Sequence, residues 1–425
     1  VSRPLEICCV VPNALPVIAP EIAGPIGGIE TRSWLLAQGL AQQPDVRVTF
    51  VVRDAQPPAR SEINGVRIVT LVEPFLKLRR QVASQIVRTP RFPWLRILRW
   101  SPDLLWRIPL LAAAKLWPAQ PVLSGGVDPG LKGLAPQVFC TFGVNSASES
   151  TVATAREMGV PSVFLLGSDG DLDERFLEGA AYVNQYGDRG DRALRILQQA
   201  SVIVAQTPWQ LQQLETRFGR TGVLLPNPID AAAWEAGLTR AQQPAGGILP
   251  QLPSRFILWI GRADHTPKQP LAALELARRV ADIPWVLVLN PFDAAVEAEI
   301  HRTCPPHVRI IPRVPPAEMP ALFTRAAALV NTSTFEGFPN TFLQAALSKV
   351  PIISLHLDPR SPVSLPFAHC AGGSIEQAVA LLQGVLRAET PAERLQQLRA
   401  AVLRVHDLPQ VAGQFRSILQ SVIGA

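Results

Sequence analysis

Residues 334–354 read TFEGFPNTFLQAALSKVPIIS, and the rest of the chain takes its meaning from this stretch. Glu336 is followed by a loop, GFPN, and then by a helical run that puts Phe342, Leu343, Ala346 and Leu347 on one side. The run ends in a short apolar strand, VPIIS. Pro339 suits the first helical turn, where a missing N–H costs nothing and φ is already set. Amides at a helix start form a ready site for an anion or a polar ligand. Here those amides come from Gly337, Phe338, Asn340 and Thr341. Gln344 follows Asn340 by one helical turn, so both face the same side. A carboxylate, bare loop amides and a helical amide side chain therefore converge on one small volume. The competing reading is an ordinary turn into a core helix.

The segment resembles the E-x7-E stretch of retaining glycosyltransferases of family 4, which have the GT-B superfold. The resemblance implies that Glu336 holds hydroxyls of a donor sugar. It also implies that the loop from Gly337 to Thr341 approaches sugar and phosphate. Two positions depart from the pattern. Gln344 stands where the family has its second Glu, the ribose ligand, and Lys349 stands where Gly usually precedes the V-P pair.

At 425 residues the chain is too long for one ordinary core and implies two domains, or three. Its net charge of +6 comes mostly from Arg and suits an acidic partner surface. Five cysteines, with no CxxC pair among them and four in or beside apolar runs, make a reduced, intracellular pattern with no metal site. No apolar run is long enough to span a membrane. LEICCVV, at 5–11, reads as a buried strand rather than a leader peptide.

From that strand the chain runs through Gly27 and Gly28 into a helix over 30–42, then strands at 46–53 and 66–72. Strand, glycine loop, helix and strand make a Rossmann-like opening. The GGIE loop is similar to the family's GGxE, which implies that Gly27 and Gly28 are phosphate-side contacts; a tight turn without a ligand is the alternative. Residues 75–118 interrupt the alternation. Nine Lys or Arg stand there against one acid, Asp103, interleaved with Phe75, Phe92, Trp94, Trp100, Trp106 and Trp117. Ile97, Leu98, Leu104, Leu105, Ile108 and Leu111 make parts of it amphipathic. Such a segment suits the headgroup region of an anionic membrane, or else packs its Trp residues on the first domain and leaves its Arg residues solvated.

Strands resume at 137–142 and 160–166, and GSDGDLDERF follows. Asp169-Gly170-Asp171 is a literal DxD, but no metal is expected. The resemblance makes Asp169 an acceptor-side polar contact. A strand ending in QT (200–207), a helix ending in FGR and a strand ending in PNPID resemble the family's approach to its interdomain crossover, with Pro226 and Pro228 stiffening it. After a Pro/Gly-rich linker near Gln242–Pro253, RFILWIG ends at Gly261, with Arg262 and then Lys268 beyond. In the family such a pair grips the donor diphosphate, where fixed cations stabilise the charge that develops as the glycosidic bond breaks. Strands at 284–290, 307–311, 327–331 and 350–354 alternate with helices to form a second doubly wound sheet.

The expected fold is α/β, of GT-B type, with two Rossmann-like doubly wound domains facing across a cleft. The N-terminal, acceptor-side domain is 1–228, the donor domain is 229–408, and an amphipathic helix at 409–425 crosses back to the first domain. The resemblance implies metal-free transfer of a sugar, with retention, from a nucleotide diphosphate to an acceptor hydroxyl. Arg262, Lys268, Glu336 and Asp169 carry the chemistry, and Gly27, Gly28, Gly261, Gly337, Phe338, Pro339, Asn340, Thr341 and Gln344 line the donor. Expected partners are a nucleotide sugar, a lipid-linked acceptor and an anionic membrane surface, without nucleic acid or cofactor. The expected setting is cytoplasmic, at the inner face of the cell membrane, in polysaccharide or glycolipid synthesis. Two rivals remain: another GT-B enzyme such as a nucleotide-sugar epimerase, and a non-catalytic relative that binds a sugar nucleotide.

Overall fold

The computed structural model describes residues 4–19, 22, 27–54, 58, 60–73, 75–83, 85–88, 95–97, 100–114, 125–241, 251–358, 368–387 and 391–424. Two compact units divide the chain. One comprises Val1–Leu165, Glu174–Ile203 and Arg416–Ala425, and the other Leu166–Asp173 and Val204–Phe415. The division thus falls inside the strand Val202–Ala205 and inside the last helix, Leu408–Ile423.

In the first unit the strands are β1 (Leu5–Val10), β2 (Val46–Asp54), β3 (Glu62–Ile63), β4 (Val66–Val72), β5 (Val138–Phe142) and β6 (Ser162–Leu165). They lie in the order β6-β5-β1-β2-β4-β3, all parallel except the short β3 at the edge. Every residue of β5 and β6 is buried, because helices cover both faces of a parallel sheet and leave no solvent side for alternation. The helix Gly28–Ala41 follows β1, and Trp34 meets Phe50 of β2 edge to face at 5.5 Å. A second helix, Ser146–Met158, joins β5 to β6. Asn145 caps its start by accepting from the Ser148 amide at 3.0 Å, and Gly159, at φ 65°, ends it in the left-handed conformation. Cys8, Cys9 and Cys140 are buried free thiols at the sheet centre, and burial pushes the Cys8 and Cys140 pKa values well up.

The segment 75–118 contains a helix, Leu76–Ala83, an antiparallel ribbon of Ile86–Arg88 with Leu95–Ile97, and a helix, Leu104–Ala114, with Pro109 inside it. Leu76 and Leu104 are buried, so Leu104 does not belong to the outward apolar set expected from its sequence. Ile97, Trp100, Leu105, Trp106, Ile108 and Leu110 are 40–69% exposed. Arg79 pairs with Glu73, and Arg107 pairs with Asp103 at 2.8 Å. Phe92, Trp94, Leu98, Arg99 and Trp117 lie outside the described residues, as does the Arg80 side chain.

In the second unit, strands β7 (Val202–Ala205, from Val204) and β8 (Val223–Leu224) pair in parallel. Its main sheet has β9 (Phe256–Arg262), β10 (Trp285–Asn290), β11 (Val308–Ile311), β12 (Ala326–Asn331), β13 (Ile352–Ser354) and β14 (Ala368–Cys370). Their order is β11-β10-β9-β12-β13-β14, parallel throughout. Alternate residues of β9 feed two cores. Phe256 and Leu258 join Phe342, Leu343 and Val402 on one face, and Ile257 and Trp259 join Leu274, Trp285 and Leu382 on the other. From β9 the chain goes outward to β10 and β11, then returns to β12 on the opposite side of β9. That reversal leaves a crevice at the carboxyl ends of β9 and β12, where open α/β sheets bind ligands.

Candidate active site

Both carboxyl ends at the reversal carry residues singled out by sequence. Gly261 and Arg262 end β9, and Lys268 follows in the loop before the helix Pro270–Arg279. Glu336 lies in the loop after β12, and the helix Asn340–Leu347 follows it. The Lys268 ammonium donates directly to Glu336 Oε1, and both side chains are about one-fifth exposed, at 22% and 19%. Arg262 forms an ion pair with Asp264, N···O 3.0 Å, and its guanidinium lies 4.4 Å from the centroid of the Phe292 ring.

The supports of these groups are buried. Asp264 Oδ1 accepts from the Lys268 backbone amide at 2.8 Å, so one carboxylate pairs with the Arg262 cation and fixes the main chain of Lys268. The Trp259 indole donates to Thr332 Oγ1 at 2.9 Å, and that hydroxyl donates to the carbonyls of Lys268 and Gln269 at 2.7 and 3.0 Å. Gly261 is small for a definite reason, since a Cβ there would stand 2.5 Å from the Trp259 ring.

The GFPN loop departs in detail from its sequence reading. Pro339, with φ −61° and ψ 125°, is the residue before the helix rather than a member of its first turn, and Asn340 starts the helix. Phe338 is 4% exposed. Its amide donates to Gln206 Oε1 at 3.1 Å and its carbonyl accepts from Asn227 Nδ2 at 2.8 Å, so it anchors the loop from beneath. Its ring stacks on His406 at 5.2 Å and meets Phe342 edge to face. Gly337 has no room for a side chain, because a Cβ would come within 2.2 Å of Gln206 Oε1. Asn340 Oδ1 is buried with no hydrogen-bond partner among the described residues. Thr341 and Gln344 are half-buried on the helix. Lys349 has φ 59°, the left-handed conformation a glycine there would adopt without a Cβ penalty.

Asp169 joins the same cluster. Its amide donates to the Glu336 carbonyl at 3.1 Å, and its Oδ1 accepts from Gln210 Nε2 at 2.9 Å. Burial pushes its carboxyl from 3.8 up to about 7; the Gln210 hydrogen bond opposes the rise, and the negative charges of Glu336 and Asp171 add to it. Asp171, the other acid of the DxD triplet, accepts from the Gly167 amide at 2.6 Å and caps its own turn. Among the described residues no group of three His, Cys, Asp or Glu is arranged to hold a metal ion.

Gly27 and Gly28 belong to the first unit, at the start of the helix Gly28–Ala41. A Cβ on Gly27 would meet Glu30 Oε2 at 2.5 Å, whereas Gly28 is open. Sequence reasoning passed over Gln206, Gln210, Asn227, Asp264, Thr332 and His406. One local signal was present: Thr207 and Gln210 have the spacing of a helix-capping box. His406 shows no such signal. It is buried, its Nδ1 donates to the Asn227 carbonyl at 2.7 Å, and burial lowers its pKa to about 4.

Residues 254–363 match the family model described as Glycosyl transferases group 1, and this segment contains Arg262, Lys268, Glu336 and the GFPN loop. With that domain on a GT-B fold of two Rossmann-like units, the chain is an enzyme of the hexosyltransferase class. Among solved structures, sucrose-phosphate synthase from Thermosynechococcus elongatus is similar at TM-score 0.66 and 13% identity, over 99% of each chain. An α,α-trehalose-phosphate synthase (UDP-forming) from Burkholderia xenovorans, solved with glucose-6-phosphate, matches at TM-score 0.66 and 12% identity, over 98% of this chain and 100% of that one. HepE of Anabaena, solved with UDP and glucose, matches at TM-score 0.61 and 13% identity, over 98% and 100%. At these identities the likeness concerns the fold. No curated protein matches the chain.

Proposed function

We propose that the protein transfers a glycosyl group from a nucleoside-diphosphate sugar to an acceptor hydroxyl with retention, in the manner of family 4. The observation that carries this reading is the Lys268–Glu336 pair at the sheet reversal, with Arg262 held beside it by Asp264. A donor offers each member a better partner: its diphosphate takes the Lys268 ammonium and the Arg262 guanidinium, and its sugar hydroxyls donate to the released Glu336. Both cations then face the oxygen that gains charge as the glycosidic bond breaks, which lowers the barrier rather than only binding the ground state. The Asn340 carbonyl oxygen takes a further hydroxyl, and the amides of Gly337, Asn340 and Thr341 complete the loop contacts. Gln344 faces the ribose. Gly27 and Gly28 serve the phosphate side, and Asp169 the acceptor hydroxyl. No metal takes part. That HepE was solved with UDP and glucose supports a uridine donor as the first to try.

The acceptor we assign is lipid-linked and presented at an anionic membrane. Support comes from the segment 75–118, where nine Lys or Arg against one acid accompany exposed Trp100, Leu105 and Trp106. Trp at headgroup depth and Arg toward anionic lipid are the chemistry of an interfacial helix. A place in cell-surface polysaccharide or glycolipid synthesis follows from that acceptor.

The test is calorimetric binding against a panel of UDP-, GDP- and other activated sugars, followed by NMR of the product's anomeric proton. Binding with retained configuration supports the reading. Inversion removes the family 4 assignment. Release of free sugar or nucleotide without an acceptor favours the epimerase-like rival, and binding without turnover the non-catalytic one.

A further inference from the structure

Two buried glutamines outside the proposed donor contacts hold the acceptor-side turn against the donor loop. Gln206 is 2% exposed and Gln210 is fully buried. Their four side-chain hydrogen bonds can be oriented without ambiguity. The Gln206 amide donates to Gln210 Oε1 at 2.8 Å, and a backbone N–H can only donate, so the oxygen of Gln210 must face it. The Gln210 NH2 therefore points at Asp169 Oδ1, which must accept. Gln206 is fixed in the same way. Its oxygen receives the Phe338 amide at 3.1 Å, and its NH2 meets the Leu166 carbonyl at 2.6 Å. Neither side chain can flip without facing donor to donor and acceptor to acceptor.

The connections are specific. Leu166 leads into the turn that carries Asp169, and Phe338 is the buried foot of the Glu336 loop. The Asp169 amide adds a direct link to the Glu336 carbonyl. An ordinary capping box would spend the Gln210 oxygen on the amide of Thr207; here it accepts from the amide one residue further back, and its NH2 donates to Asp169.

We propose that Gln206 and Gln210 are a positioning pair: Gln206 sets the height of the donor loop, and Gln210 fixes Asp169 with Oδ1 as acceptor, so that any proton it carries is on Oδ2. Among the described residues, the charged groups around Asp169 are Asp171 in its own turn and Glu336 in the donor loop, the latter paired with Lys268. From the helix Pro208–Phe218 comes Gln210, while Arg217 of that helix donates to the Leu172 carbonyl at 2.9 Å. Among the described residues Gln210 alone favours the ionised form by a hydrogen bond, so its removal leaves burial and two like charges unopposed. The role assigned to Asp169 rests on the glycosyl-transfer reading, whereas the hydrogen-bond geometry does not.

The test therefore needs no turnover. Carboxyl-13C aspartate NMR of the full chain follows the Asp169 signal, assigned by its loss in Asp169→Asn, across pH 4 to 10. In wild type the midpoint is expected near the elevated value of about 7. Gln210→Leu should raise it by about one pH unit or more. Gln210→Glu keeps the oxygen for the Gln206 amide, adds a like charge and should raise it at least as far. Gln206→Leu should leave that midpoint in place and speed hydrogen exchange of the Phe338 amide by about tenfold or more. An Asp169 midpoint that neither Gln210 variant moves overturns the pair, as does unchanged Phe338 exchange in Gln206→Leu. If the midpoints move as expected and no sugar nucleotide is ever turned over, the positioning pair stands and the proposed transfer falls.

Discussion

Replacing Asp169 by Asn should stabilise the protein, and should do so only where the carboxyl would be ionised. The carboxyl is pushed from 3.8 to about 7, by burial first and then by Glu336 and Asp171. The folded state therefore prefers it protonated, while the unfolded chain ionises it near the ordinary value. The preference supports folding fully below about pH 4, weakens as pH rises, and is gone above about pH 7. Each pH unit separating the two pKa values is worth about 1.4 kcal/mol, so a gap of about three bounds the effect near 4 kcal/mol. Asp169 keeps some contact with solvent, and ~2 kcal/mol at pH 8 is the expected size. Asn preserves a carbonyl for Gln210 and removes the charge that faces Glu336. Urea unfolding of both proteins at pH 8 and pH 4.5, extrapolated linearly, measures the difference. It should be large at the higher pH and about a quarter of that size at the lower. A difference that does not depend on pH, or a variant less stable at pH 8, would refute the reasoning. Loss of transfer in the same variant would mark Asp169 as a residue kept for function at a cost in stability.

Four further outcomes are expected. Lys268→Ala and Arg262→Ala should each lower transfer at least ~100-fold, a few kcal/mol of transition-state charge stabilisation, with thermal unfolding little changed; wild-type turnover in either would remove that cation from the donor site. Gln344→Glu should tighten nucleotide binding by roughly 1 kcal/mol if the residue faces a ribose diol, since a carboxylate accepts charge-assisted hydrogen bonds; weaker binding by calorimetry would end that assignment. Lys349→Gly should raise the melting temperature, because the left-handed backbone costs a residue with a Cβ about 1–2 kcal/mol and the added freedom of Gly in the unfolded chain returns only part of it; a lower melting temperature would count against the strain. Changing Trp100, Leu105 and Trp106 together to Ser should reduce co-sedimentation with anionic vesicles and remove the little binding to neutral ones; equal binding by both proteins would take the membrane out of the account.

Much of the architecture follows from local pattern. The buried strands are continuous runs of Val, Ile, Leu, Phe and Cys, as parallel strands covered on both faces must be, and their bounds fall within a residue or two of the runs. The strand–loop–helix rhythm placed Arg262, Lys268 and Glu336 at strand ends or in the loops after them, where side chains can meet a ligand. Gly337 was legible as a loop glycine, although the reason for it was not. That reason is Gln206, far away in the chain, whose amide fills the space a Cβ would need.

What tertiary structure alone decided is which polar groups are already occupied. Phe338 reads as a donor-loop residue with its amide open to a ligand, yet its amide and carbonyl are taken by Gln206 and Asn227. Lys268 and Glu336 read as two separate ligand contacts, yet they are each other's partners. Leu104 shares its amphipathic pattern with Leu105, and only packing buries one and exposes the other. The physical reason is common to all three. A periodic apolar pattern is set by neighbours a few residues apart and survives in any compact arrangement. A buried polar group is satisfied by whichever donor or acceptor the fold brings to it, and that partner carries no mark in the local sequence.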